Sequence, residues 1–226
     1  MTTLVVAAHP DDEVLGCGGT AARLSADGED VILAIMGEGI TSRAPARGPA
    51  ENPAVQAIEE DSRKAAQILG AKDVRHFGLP DNRFDTVALL DVVKLVEGLI
   101  EELAPTVVYT HHGGDLNVDH RMVFQAVLAA TRPLPGQPVT AVYSFEVNSS
   151  TEWAFQRMGA PFQPNVFVDI GATVDRKVEA LEAYAGEIRP FPHPRSADGV
   201  RASARRWGAT AGVAAAEAFE LIREIR

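Results

Sequence analysis

The 226 residues carry 31 acidic against 21 basic side chains, a formal net charge of −10. That balance argues against a nucleic-acid partner, whose footprint is normally a basic patch, while leaving room for a locally positive pocket. With 46% apolar and 23% charged residues, the composition is that of a soluble globular chain. No run approaches the roughly 18 apolar residues of a membrane span, so no membrane partner is expected. A single cysteine, Cys17, leaves no intramolecular disulfide and fits a reducing compartment. The chain enters its first apolar run without a basic leader, which together with the lone cysteine predicts a cytoplasmic protein. The length suits one ample domain over residues 1–226, and a homo-oligomer is compatible with it.

Leu4-Val5-Val6-Ala7-Ala8 reads as a buried first strand. Residues 15–27 follow as a helix ended by the Asp27-Gly28 turn signal, and 30–36 as a second strand. Residues 37–53, rich in Gly, Pro, Ala and Arg, form a long loop of the kind that often carries function. A helix over 54–69 closed by Gly70, a strand over 73–77, a loop over 79–83, a helix over 86–103 and a strand over 106–110 come next. A polar stretch over 111–119 leads into a helix to about Ala130 and a strand over 139–145. Repeated βα units predict a Rossmann-like α/β fold, a mostly parallel sheet with helices on both faces. The last third is less regular: a strand over 165–170, a helix over 173–188 capped by Thr173, a non-helical proline segment over 190–196, and two short alanine-rich helices.

Chemistry concentrates at two strand ends. His9-Pro10-Asp11-Asp12-Glu13 follows the first strand, and His111-His112-Gly113-Gly114-Asp115-Leu116-Asn117-Val118-Asp119-His120 follows the fourth. An imidazole and three carboxylates within five positions are costly to bury unless a cation or hydrogen bonds compensate them. Alone, the acids of the first segment also suit a helix N-terminus. If strands one and four are neighbours, the two segments meet at the switch point where open α/β sheets place ligands. A mixed nitrogen and oxygen donor set then suits zinc or a similar divalent transition ion better than calcium.

With these residues in view, the chain resembles the LmbE-like, or PIG-L, family of zinc-dependent N-acetyl-sugar deacetylases. The resemblance rests on His9-Pro10-Asp11-Asp12-Glu13 with Gly16-Cys17-Gly18-Gly19, on Asp119-His120, and on Leu69-Gly70 and Leu79-Pro80-Asp81. It implies a Rossmann-like fold and metal-dependent hydrolysis of an N-acyl amine, with a small N-acetylated molecule as substrate. It also implies that His9, Asp12 and His120 bind zinc and that Asp11 stays off the metal as general base. Asp119 is then expected to orient a neighbouring group, and Glu13 to cap the following helix or orient a ligand.

One position departs from the family pattern. Many relatives read His-Pro-Asp-His where this chain has Asn117-Val118-Asp119-His120. An amide donates hydrogen bonds but is no acid near neutral pH. Either Asn117 takes the role of that imidazole or another histidine does, and His193, in the proline segment, is the candidate. Arg43, Asp81 and Asn82 have chemistry suited to a hydroxyl-rich or anionic substrate, although each also fits an ordinary loop or turn. Gly16, Gly18 and Gly19 lack dinucleotide-loop spacing and are expected to pack the helix against the sheet. An amidase on a non-sugar amide such as a thiol conjugate, a nucleotide-binding Rossmann module and a metal-binding protein without catalysis are the other readings.

Overall fold

Alternation along the first two strands sorts their side chains onto opposite faces of one sheet. Val5, Val31 and Leu33 enter one core with Leu15, Ala65 and Leu181, while Leu4, Val6, Ile32 and Met36 enter another with Val92, Val96 and Val127. Strands covered on both faces read as continuous apolar runs, which is why the sequence shows them plainly. The computed structural model describes residues 1–43 and 52–226. In it a single α/β domain carries strands β1 (Thr2–Ala7), β2 (Asp30–Gly37), β3 (Asp73–Leu79), β4 (Val107–His111), β5 (Ala141–Phe145), β6 (Val166–Asp169) and β7 (Ala216–Glu224). The helices are α1 (Asp12–Ala26), α2 (Pro53–Leu69), α3 (Leu89–Leu103), α4 (Val118–Ala130), α5 (Val174–Ala183) and α6 (Ala197–Ala211).

The strand order is β3-β2-β1-β4-β5-β7-β6. Strands β1 to β5 are parallel, and β7 runs antiparallel to both β5 and β6. Because β1 lies between β2 and β4, the chain winds outward in both directions from the β1–β4 pair. The loops leaving those two strands therefore open a crevice at their carboxyl ends.

Several expectations are corrected by the structure. The second alanine-rich terminal helix is strand β7, whose residues Ala216 to Phe219 pair with β6 while Phe219 to Glu224 pair with β5. Ala, Glu, Leu and Arg favour helix locally, and two strands presenting free edges override that preference. The helix expected over 173–188 ends at Ala183, and buried Tyr184 turns inward instead. Thr173 does not cap it with its side chain; its hydroxyl donates to the Gly19 carbonyl at 2.8 Å. The glycines of α1 do pack as expected. A Cβ on Gly16 would lie 2.2 Å from the Phe145 ring, and one on Gly19 would lie 2.8 Å from Ile170. Helix α1 itself begins at Asp12, three residues earlier than its apolar pattern suggests.

Candidate metal centre

The turn from β1 into α1 is tight and left-handed. Asp11 has φ 98° and ψ −26°, a conformation few non-glycine residues adopt. Its N–H donates to Glu13 Oε2 at 3.0 Å. The other oxygen of Glu13 accepts from the buried Tyr184 hydroxyl. Burial pushes the Glu13 carboxyl up to about 8, against the lowering effect of that hydroxyl. Asp12 folds back so that its Oδ2 accepts from the His9 N–H at 2.9 Å. The acids thus stand in the first turn of α1, yet Asp11 makes no side-chain cap.

Across the crevice, Asn117 caps α4 by accepting from the Asp119 N–H at 2.8 Å. This sets His120 in the first turn of that helix, facing β1. His9 Nδ1, Asp12 Oδ2 and His120 Nε2 form a buried triangle: 3.2 Å from His9 to Asp12, 3.1 Å from His120 to Asp12, and 3.3 Å between the imidazoles.

Carboxylates behind the triangle decide which imidazole nitrogen faces it. Asp119 Oδ2 lies 2.8 Å from His9 Nε2 and is itself held by the N–H of Asn82 at 2.6 Å, while its Oδ1 accepts from the N–H of Phe84 at 2.9 Å. Asp115 Oδ1 lies 3.1 Å from His120 Nδ1, and its oxygens accept from the hydroxyls of Ser150 and Thr151. Asp119 thus engages the outer nitrogen of His9, and Asp115 lies beside that of His120. With a proton on each outer nitrogen, the inner nitrogens of both rings would be free to hold an ion. Burial disfavours charge on these rings. The acids outweigh it and raise His9 to about 10, through Asp119 and Asp12, and His120 to about 9, through Asp12 and Asp115. The pocket is built to hold positive charge.

His9, Asp12 and His120 could therefore hold a metal ion. Two imidazole nitrogens and one carboxylate are the donors such an ion takes. Buried Asp12 Oδ1 has no hydrogen-bond partner among the described residues, as expected of an atom reserved for a ligand. His111 lies beside the triangle without joining it. Its Nε2 accepts from the Ala8 N–H at 2.7 Å, its ring stacks on His120 at 4.0 Å, and burial keeps it neutral.

The other expected residues are placed unevenly. Asp11 is buried next to the triangle, with Oδ2 2.8 Å from Arg195 Nη1. Asp81 is buried with Oδ1 3.4 Å from His9 Nε2, and its Oδ2 accepts from the Ser42 N–H. Asn82 and Asn117 pair through their amides at 3.0 Å in an exposed contact above the site. The backbone of Arg43 ends a short 3-10 turn, Thr41–Arg43. Its side chain and most of the long loop lie outside the described residues. His193 is not brought onto the triangle. Its ring packs edge-on against Trp153 at 5.5 Å, and its Nδ1 accepts from the Arg195 N–H at 3.1 Å. The side chain by which its segment reaches the acids is Arg195. Sequence reasoning missed Asp115, Tyr184 and Arg195. Asp115 stood within the second polar segment, whereas nothing local marks the other two.

A family model described as PIG-L: GlcNAc-PI de-N-acetylase matches residues 4–131. The chain belongs to the PIG-L family. Among its relatives, the uncharacterized deacetylase YaiS of Escherichia coli K12 is 32% identical over 137 residues, 58% of this chain and 69% of YaiS. A Bacillus anthracis protein named probable N-acetyl-alpha-D-glucosaminyl L-malate deacetylase 2 is 28% identical over 190 residues, 82% of this chain and 80% of its own. A 4-oxalmesaconate hydratase of Pseudomonas putida is 27% identical over 206 residues, 82% of this chain and 74% of its own. Among solved structures, the conserved protein TT1542 of Thermus thermophilus superposes with a TM-score of 0.76 at 26% identity, covering 99% of this chain and 96% of that one. The family match ends close to the end of α4, so Tyr184, His193 and Arg195 lie beyond it.

Proposed function

We propose that this PIG-L protein is a zinc-dependent N-deacetylase acting on an N-acetylated sugar, a sugar conjugate or a related small metabolite. The observation that carries the reading is the triangle of His9 Nδ1, Asp12 Oδ2 and His120 Nε2, with the Asp11 carboxylate beside it and outside it. Three such donors leave zinc a position for water; when bound, the ion supplies a lowered water pKa and positive charge for the carbonyl oxygen.

Asp11 is the general base in this reading. It accepts the proton of the attacking water and returns it to the nitrogen as the amide C–N bond breaks, giving acetate and a free amine. Burial raises its carboxyl to about 7, with Asp12 and Glu187 adding to the shift and Arg195 opposing it. A group with that pKa both takes and gives a proton near neutrality. Asp119 and Asp115 hold the imidazoles of His9 and His120 in their tautomers. Exposed Asn82 and half-buried Asn117 are suited to sugar hydroxyls, as is the chemistry of Arg43 and Asp81. His193 bears on the site through the backbone of Arg195. The lone buried thiol of Cys17 fits a reducing cytoplasm.

The test is metal analysis of the purified protein coupled to a screen of N-acetylglucosamine-type compounds for released amine. About one zinc per chain with stoichiometric acetate and amine supports the reading. A metal-loaded protein that releases no amine, yet adds water to an unsaturated carboxylic acid, replaces it with hydratase chemistry, the activity of the Pseudomonas relative.

A further inference from the structure

The segment 190–196 lies far from both motifs in sequence, yet it delivers the side chain that grips the Asp11 carboxylate. Arg195 is fixed at three other points. Its N–H is held by His193 Nδ1 at 3.1 Å, its Nε donates to Ser149 Oγ at 2.7 Å, and its Nη1 lies 3.6 Å from Glu187 Oε2. Pro192 and Pro194 restrict the backbone before it, and Ser196 immediately after it caps α6 by accepting from the Gly199 N–H at 2.9 Å. So anchored, the guanidinium reaches Asp11 Oδ2 at 2.8 Å. Arg195 Nη1 is the side-chain donor to that carboxylate among the described residues, and the pair is largely buried. The opposite side of Asp11 is held through its backbone, by Glu13 Oε2 and, behind it, Tyr184.

We propose that Arg195 is a positioning residue for the reaction. It holds one oxygen of Asp11 so that the other is presented to the water, while Tyr184 and Glu13 fix the main chain from behind. This rests on the deacetylase reading for its kinetic consequence, though not for its structural one. An unpinned carboxylate at an already strained turn would rotate away from its working position, and a displacement of about 1 Å can cost on the order of 10²-fold in rate. Lysine cannot replace the fork, because an ammonium is a single point of charge and cannot serve Ser149 and Asp11 from the same plane.

The experiment uses the metal-loaded full chain with Arg195→Ala and Arg195→Lys, reading metal content, kcat, KM and the crystal structure. Metal content should equal that of the wild type in both variants. In Arg195→Ala, kcat should fall roughly 10²-fold with KM little changed, and added guanidinium, unlike ammonium, should restore part of it. Arg195→Lys should retain an intermediate rate. The crystal structure of Arg195→Ala should show the Asp11 carboxylate turned from its wild-type position. An unmoved Asp11, or loss of the metal together with the arginine, overturns the proposal. If Arg195→Ala does not fold, Ser149→Ala, which frees only the Nε anchor, should lower kcat in the same direction. An unchanged kcat there overturns the proposal too. A wild-type protein that cleaves no acetamide would sink the deacetylase reading while the Asp11 displacement still decides the role of Arg195.

Discussion

The half of the sheet built from β1 to β4 and the half built from β5 to β7 obey different rules. In the first, β1, β2 and β4 are local apolar runs, and the chemistry sits in two short segments at the ends of β1 and β4. In the second, β7 takes its conformation from strands on either side, and the residues that matter for the site come from positions without a local motif. The first half supplies the triangle of donors, and the second supplies the grip on Asp11. Family resemblance follows the same division, since the matching model stops at residue 131. A metal site can be carried by a few adjacent residues, whereas the orientation of its base is spread across the fold.

The largest effects should come from the first half. His9→Ala or His120→Ala should remove the metal and with it all measurable turnover, as read by metal analysis and amine release. Asp11→Asn should keep the metal and lose roughly 10²- to 10⁴-fold in kcat, because an amide cannot accept the water proton. The same carboxyl sets a pH dependence. Its pKa is raised by burial to about 7, and its working form is the deprotonated one. The value of kcat/KM should therefore be full above that pH and fall as pH drops through it. The limb should be missing from the residual activity of Asp11→Asn.

Smaller effects test how the two halves are joined. Lys177 on α5 donates to Glu217 of β7 at 2.6 Å and to the Leu15 carbonyl of α1 at 2.7 Å, all buried. Lys177→Met leaves the Glu217 charge without its cation, and denaturant unfolding should show a loss on the order of 3–5 kcal/mol. Asn117→Ala should cost about 1 kcal/mol through the lost cap of α4, while Asn117→Asp retains it. His193→Ala removes the acceptor of the Arg195 N–H and the ring contact with Trp153 but leaves the Arg195 guanidinium on Asp11, so its fall in kcat should be smaller than that of Arg195→Ala.

The legibility of the molecule follows the same physics. Asp11, Asp12, His9 and His120 stand out in the sequence because several ionisable groups crowd the ends of two apolar runs, an arrangement with few purely structural uses. Their convergence follows once β1 and β4 pair. Arg195 is one of many arginines, and its meaning depends on a chain path that brings residue 195 to residue 11. His193 has the more suggestive chemistry in the same segment, yet the backbone there turns its ring toward Trp153. Tyr184 reads as the continuation of α5 because its spacing fits the helical pattern up to Gly186, and its role exists only through contact with Glu13. For β7 the local signals point the wrong way, since alanine and glutamate favour helix until two strand edges compete for the segment.

The account stands most directly on metal content measured side by side in Asp11→Asn and His120→Ala. It predicts about one divalent ion per chain in the first and none in the second. Metal retained by His120→Ala, or lost from Asp11→Asn, would contradict the assignment of ligand and base.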